Sequence, residues 1–253
     1  MIFSRRRAPQ PAPAVMDARV PPGQRVYAIG DIHGRLDLLE RLAVKVQRDL
    51  SERPCSDAVA VFLGDYIDRG PESAGVLEFL CSGSFPAPMI PLRGNHEAIL
   101  LDFLNDESVL ESWRHYGALE TFVSYGVDVK AVLRGRDFAA ARDALWSKLP
   151  TRHLDFVAKT GLSWSIGDYF FCHAGVRPNV PLARQSERDL MWIRDEFTAY
   201  RGPLEKVVVH GHTPSSEPEN LPYRINVDTG AYATGVLTCV ALEGGERRFI
   251  VST

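Results

Sequence analysis

The chain has 253 residues, 45% of them hydrophobic, with 29 Lys and Arg against 32 Asp and Glu for a formal charge of −3. That is enough for one sizeable core and sets a prior of one domain, while the near-balanced charge argues against a general nucleic-acid or membrane-surface binder. No apolar stretch reaches the roughly 18 residues of a membrane span, and Cys55, Cys81, Cys172 and Cys239 form no CxxC pair, which excludes a zinc ribbon or redox motif and reads as free thiols in a reducing, cytoplasmic compartment.

Arg5, Arg6 and Arg7 are followed by no apolar h-region, so the start is not a secretory signal. Pro and Ala dominate from Ala8 to Pro22, and residues 1–24 read as a disordered lead-in, with order beginning near Arg25. Val26–Ile29 is a short apolar run ending in Gly30-Asp31, a buried strand. Apolar residues at 36, 38, 39, 42, 43, 46 and 50 follow at helical spacing. Ala58–Leu63 is a second strand, ending in Gly64-Asp65, and Pro71 suits the first turn of a helix reaching Cys81. Met89–Leu92 is a third strand, with a helix from Glu97 to Leu104 behind it. This strand, polar loop and helix grammar predicts parallel strands with right-handed crossovers, and sites at the strands' carboxyl ends.

Residues 105–160 read as a helical insert over one side of the sheet, with Trp113, Tyr116, Phe122 and Tyr125 mostly its core. The last third is β-rich: Leu162–Ile166 and Tyr169–Cys172 flank a Gly167-Asp168 turn. Lys206–His210, Tyr223–Asp228, Val236–Leu242 and Arg247–Val251 are further strands.

Five polar clusters sit at strand ends: GDIHG at 30–34, GDYIDRG at 64–70, RGNHE at 93–97, HAG at 173–175 and HGHT at 210–213. In an extended loop Asp31 and His33, at i and i+2, point the same way. Each cluster alone has a plainer reading: a capping Asp, a surface ion pair, a glycine turn or a structural histidine. The conjunction decides, because five of the seven histidines lie in these clusters. Two Asp, one Asn and three or four His form a mixed N/O donor set, too large for one tetrahedral zinc and natural for two metals sharing a carboxylate. His115 and His153 lack such a setting.

In this order, the motifs resemble the calcineurin-like metallophosphoesterase superfamily. GDYIDRG with RGNHE is similar to the bacterial and phage branch of PPP-type serine/threonine protein phosphatases. The similarity runs from about Arg25 to the C-terminus and includes WRHYGALETFVSYG at 113–126, MWIRDEF at 191–197 and INVDTGAYATGVLT at 225–238. It implies a single α/β domain over 25–253: two packed mixed sheets flanked by helices in four layers, with the helical insert.

It also implies roles. Asp31 and His33 would bind one metal, Asp65 would bridge both, and Asn95, His173 and His212 would complete the second site. His96 would be the general acid, oriented by Asp68, with Arg69, Arg93 and Arg194 on the phosphate. Many relatives carry GHxH, but here that position is Pro214, so the first ion should keep more water. Manganese leads as the metal, with iron or zinc also suited. Such a pair acidifies a bridging water, and arginines match phosphate bidentately.

The expected activity is phosphomonoester hydrolysis on phosphorylated proteins or peptides, at Ser/Thr and also at Tyr. A symmetrical bis(5'-nucleosyl)-tetraphosphatase is the alternative enzyme. That branch reads GDLVARG and GNHD, where this chain has Asp68 and Glu97. A dead metal-binding scaffold is disfavoured, because no expected ligand is missing.

Overall fold

The computed structural model describes residues 17–130 and 137–253. The upstream part of the lead-in and the centre of the insert thus lie outside the described residues.

Two five-stranded sheets carry the architecture. The first comprises β1 (Gln24–Ile29), β2 (Asp57–Phe62), β3 (Met89–Pro91), β9 (Thr238–Glu243) and β10 (Glu246–Val251), in the order β10-β9-β1-β2-β3. β1, β2 and β3 pair in parallel, as their strand–helix–strand grammar demands, and β9 and β10 add antiparallel. The second comprises β4 (Ser163–Ile166), β5 (Tyr169–Cys172), β6 (Val207–His210), β7 (Glu219–Asn220) and β8 (Arg224–Asn226), in the order β4-β5-β6-β8-β7.

Period-2 alternation assigns side chains to layers. On β1, Val26 and Ala28 face the space between the sheets, where they meet Val61, Phe171, Val209, Ile225 and Val240. Tyr27 and Ile29 face the other way, against helices α1 (Leu36–Glu52) and α2 (Ser73–Cys81) and the insert. On the second sheet, Phe170, Cys172 and Val208 face outward and are covered by Leu190, Ile193 and Phe197. Each sheet is therefore apolar on both faces, which is why its strands are continuous apolar runs. The result is helices, sheet, sheet and helices.

Order reaches further upstream than composition suggests. Ala18 and Val20 are buried between the sheets. Arg19 N–H donates to Asp168 Oδ2 at 2.9 Å, and Val20 N–H donates to the Gly244 carbonyl. Two apolar side chains among prolines form no periodic pattern, so only the tertiary contact reveals them.

Behind α3 (Asn95–Asn105) the insert runs through α4 (Leu110–Trp113), α5 (Ala118–Ser124), Phe138–Lys148 and Thr151–Lys159. Trp113, Phe122 and Phe103 pack with ring centroids 5.3–5.7 Å apart. Tyr125 is buried too and bonds His153, whereas Tyr116 and His115 are exposed.

Candidate metal centre

The carboxyl ends of β1, β2, β3, β5 and β6 converge, which brings the five polar clusters together. The backbone there is unusual. Six described non-glycine residues have positive φ, and five belong to this convergence: His33, Asp65, Asp68, Arg69 and His212. Each such conformation costs about 1–3 kcal/mol and persists only where the surroundings enforce it. Two glycines make room for carboxylates. A Cβ on Gly94 would strike Asp65, and one on Gly211 would strike Asp31.

Two groups of donors form around Asp65. His33, Asp65 and His96 offer ligand atoms within 4.8 Å of one another, and so do Asp65, His173 and His212. Asp65 Oδ2 faces His33 Nε2 at 3.4 Å, while its Oδ1 faces His173 Nε2, also at 3.4 Å. His33 Nδ1–H donates to the Ile67 carbonyl at 2.9 Å, and His173 Nδ1–H donates to Leu63 at 3.0 Å. Each Nε2 therefore presents its lone pair to the site, the arrangement by which proteins orient metal-binding imidazoles. Asn95 Oδ1 and His212 Nδ1 approach His173 Nε2 at 3.0 and 3.1 Å. His33 Nε2 and His212 Nε2 are buried without any hydrogen-bond partner. Converging lone pairs and orphaned buried nitrogens are costly unless a cation takes them up, so the residues fit a divalent metal pair.

Protonation agrees with that role. Burial, which disfavours the charged imidazole, holds His33 and His173 well below the ordinary imidazole range and His212 down at about 3. All three are neutral at pH 7, the form that binds metals. Burial pushes Asp31 well up, and Asp228 and Asp65 push it further.

The loop that carries Asp31 and His33 differs from the extended loop expected from sequence. His33 has φ +47°, so the loop is not extended and i, i+2 alternation does not operate there. Both Asp31 oxygens accept the His212 backbone N–H, at 3.2 and 3.1 Å. Asp228 lies against Asp31 and is raised to about 6, by burial first, with Asp65 adding to it. Asp228 lies two residues past the end of β8, in Asn-Val-Asp-Thr-Gly; a strand-end Asp before Thr-Gly was its only signal.

His96 and Asp68 form a buried dyad, with Nδ1 to Oδ2 at 2.6 Å. Burial lowers the His96 pKa, but the Asp65 and Asp68 carboxylates outweigh it and leave the imidazole raised. Arg69 Nη2 lies 3.3 Å from His96 Nε2, which disfavours a metal cation at that edge. The Arg69 guanidinium also stacks 4.8 Å from the Tyr232 ring centre.

Arg93 is bonded to the insert. It donates to Thr160 Oγ1 at 3.1 Å and to the Ala158 and Thr160 carbonyls, at the end of the Thr151–Lys159 helix. In this arrangement it braces the insert; carbonyls left open at a helix end attract cations. Arg194 is exposed, near His212, and Trp192 beside it lies 6.4 Å from the His212 ring. Tyr116, Trp192 and Tyr232 together form an exposed aromatic rim around the centre.

Glu97 is fully buried at the third position of α3. Its carboxylate accepts backbone N–H groups from Gly94, Asp65 and Tyr66 at 2.7–2.9 Å. It thereby ties the β2 and β3 loops together. The Gly-x-x-Glu spacing is a capping-box signal, but its reach across to β2 is not readable from sequence.

Two sheets with a paired donor cluster at their convergent strand ends define a metal-dependent phosphoesterase. The chain belongs to the calcineurin-like phosphoesterase family, whose model matches residues 24–235. Among its relatives is the bis(5'-nucleosyl)-tetraphosphatase PrpE [asymmetrical] of Anoxybacillus flavithermus, 24% identical over 89% of this chain and 93% of that protein. The protein of that name from Bacillus cereus is 26% identical over 83% and 87%. The fold matches a structure described as a candidate diadenosine tetraphosphatase, with TM-score 0.62, 22% identity and coverage of 92% and 98%. It also matches a Saccharomyces cerevisiae protein serine/threonine phosphatase, with TM-score 0.52, 15% identity and coverage of 91% and 80%. A Shewanella cold-active protein-tyrosine phosphatase matches with TM-score 0.53, 16% identity and coverage of 91% and 83%. Among the described residues no helix is long and apolar enough to cross a membrane.

Proposed function

We propose that this phosphoesterase is a PPP-type phosphoprotein phosphatase, hydrolysing phosphomonoesters of Ser/Thr and Tyr side chains. The observation that carries the reading is the His96–Asp68 dyad at the edge of the donor cluster. An alkoxide is a poor leaving group and needs a proton as its bond to phosphorus breaks. A nucleotide polyphosphate leaves readily without one, so a buried, braced proton donor suits monoesters of alcohols.

In this reading Asp31, His33 and Asp65 hold one divalent ion, and Asp65, Asn95, His173 and His212 hold the other. Manganese is the first choice, with iron or zinc alternatives. When bound, such a pair supplies Lewis acidity and an activated water. The chain's own residues do the rest: His96 delivers the proton, Asp68 fixes its ring, and Arg69 and Arg194 grip the phosphate. Arg93 would have to leave its helix-end carbonyls to join them. The four cysteines are free thiols, which favours a reducing, cytoplasmic setting.

A second reading is an asymmetrical dinucleoside tetraphosphatase. It is favoured by the relatives' activity and by the rim of Tyr116, Trp192 and Tyr232, which could stack on a base. Steady-state kinetics on a phosphopeptide and on diadenosine tetraphosphate, with one Mn²⁺-loaded preparation, separates the two. The phosphatase reading expects phosphopeptide kcat/KM to be higher by at least about tenfold, about 1.4 kcal/mol of transition-state binding. A preference for the dinucleotide would install the second reading.

A further inference from the structure

The Asp68–Arg69 turn is held by residues 113–121 of the insert. Asp68 is fully buried, and its carboxylate accepts three side-chain donors. These are His96 Nδ1–H at 2.6 Å, Trp113 Nε1–H at 2.6 Å and Thr121 Oγ1–H at 2.5 Å. Its backbone N–H is also bonded, to Thr121 Oγ1 and Ser73 Oγ, both at 3.0 Å. One residue further on, Arg69 N–H donates to the Gly117 carbonyl at 3.1 Å. Gly117 must be glycine there: its φ is +97° and a Cβ would strike the Arg69 backbone. Asp68 and Arg69 themselves have φ of +73° and +66°, conformations that a free loop would abandon.

Trp113 and Thr121 are fully buried, so neither can meet substrate. Their polar atoms instead aim at one carboxylate. Hydrogen bonds to a carboxylate are the strong kind, and two on Oδ2 with one on Oδ1 leave the Asp68 carboxylate one place to be. That place sets the plane and tautomer of His96.

We propose that Trp113 and Thr121 are positioning residues for proton delivery: the insert clamps Asp68, and through it His96, in the geometry needed to protonate a poor leaving group. The inference rests on the reading of His96 as proton donor. It gives the insert a part in the chemistry, beyond any part it plays in choosing substrates.

The test compares Trp113→Phe, Thr121→Val and Thr121→Ser with His96→Asn, all as Mn²⁺-loaded full chains. The readouts are metal content, and kcat and KM for phenyl phosphate and for p-nitrophenyl phosphate. Trp113→Phe and Thr121→Val each remove one donor with little change of shape, and each should lower kcat for phenyl phosphate by about tenfold. The loss should be smaller for p-nitrophenyl phosphate, whose leaving group needs less protonation, with KM and two metals per chain retained. Thr121→Ser keeps the hydroxyl and should restore the wild-type contrast between substrates, which also guards against a Trp113 variant that misfolds. If His96→Asn shows the contrast but Trp113→Phe and Thr121→Val do not, the clamp is overturned while the proton donor stands. Metal loss in step with kcat would overturn it too, by reducing both residues to supports of the metal cluster. An equal loss on both substrates in His96→Asn would overturn the proton donor, and the clamp with it.

Discussion

Gly94→Ala isolates the carboxylate shared by the two donor groups without touching a donor. A Cβ at this position would lie 2.9 Å from Asp65 Cγ and closer still to its Oδ1 and backbone nitrogen. Carbon atoms in contact prefer about 3.5–4.0 Å, so Asp65 must retreat by roughly 0.6–1.1 Å. It has little slack. Its backbone is at φ +53°, its N–H is held by Glu97, and Oδ1 accepts the His96 N–H at 3.2 Å. A retreat of that size breaks distances to His33 and His173 that a metal pair must span. Misplacement by about 1 Å costs on the order of 10²-fold in rate, and overpacking costs about 1–3 kcal/mol of stability. Metal analysis, p-nitrophenyl phosphate turnover and a thermal melt of one preparation give the result. We expect bound metal and turnover to fall together, turnover by at least about 10²-fold, in a chain that still melts cooperatively. A Gly94→Ala protein with wild-type metal content and turnover would refute the close-packed geometry around Asp65.

Two further outcomes follow from the buried polar groups. Uncompensated carboxylates and orphaned imidazoles should make the fold respond to metal: Mn²⁺ at about 100 times its Kd should add about 2.7 kcal/mol, roughly 5–11 °C of Tm for a chain of this size, and chelation should reverse it. An unchanged melt would contradict metal uptake by these residues. Far from the site, Asp49 bonds Arg25, Tyr27 and Arg248, and Asp49→Asn should cost about 1–3 kcal/mol at pH 7 by denaturant titration. Burial raises the Asp49 pKa, but the Arg248 and Tyr27 bonds outweigh it and leave it depressed. Its stabilisation is therefore fully present above the unfolded carboxylate value of about 3.9 and lost as pH falls through the folded one. The gap between wild type and Asp49→Asn should close at acid pH; a gap independent of pH would contradict this.

Much of the fold was legible because its strands are buried on both faces. Val26–Ile29, Ala58–Leu63 and Tyr169–Cys172 are unbroken apolar runs, punctuated by Gly-Asp or a histidine at the point where the site begins. Signals failed where tertiary contact does the deciding. Glu219–Asn220 is too short to show a period, and Ala18 and Val20 are held by the sheets rather than by any local pattern. The α3 helix begins at Asn95 rather than Glu97, so Asn95 and His96 lie in its first turn, where the Asp65 carboxylate meets the His96 N–H. The residue types of the candidate site stood out in sequence, but their orientation did not. Left-handed backbone at His33 and Asp65 has no reliable residue signal, and the Arg93 guanidinium is drawn to carbonyls 65 residues away. Trp113 looked like insert core, and it is; the bond from its indole to Asp68 spans 45 residues and leaves no mark on local composition.

Asp65 belongs to both donor groups and in the proposed centre would serve two ions at once. Manganese content per chain, measured on wild type and Asp65→Asn beside p-nitrophenyl phosphate turnover, tests this directly. Two ions should bind the wild type. Replacing one anionic oxygen of the shared carboxylate with an amide should empty both sites and remove turnover in the same preparation. An Asp65→Asn protein that holds two ions and turns over at the wild-type rate would contradict the shared-carboxylate centre.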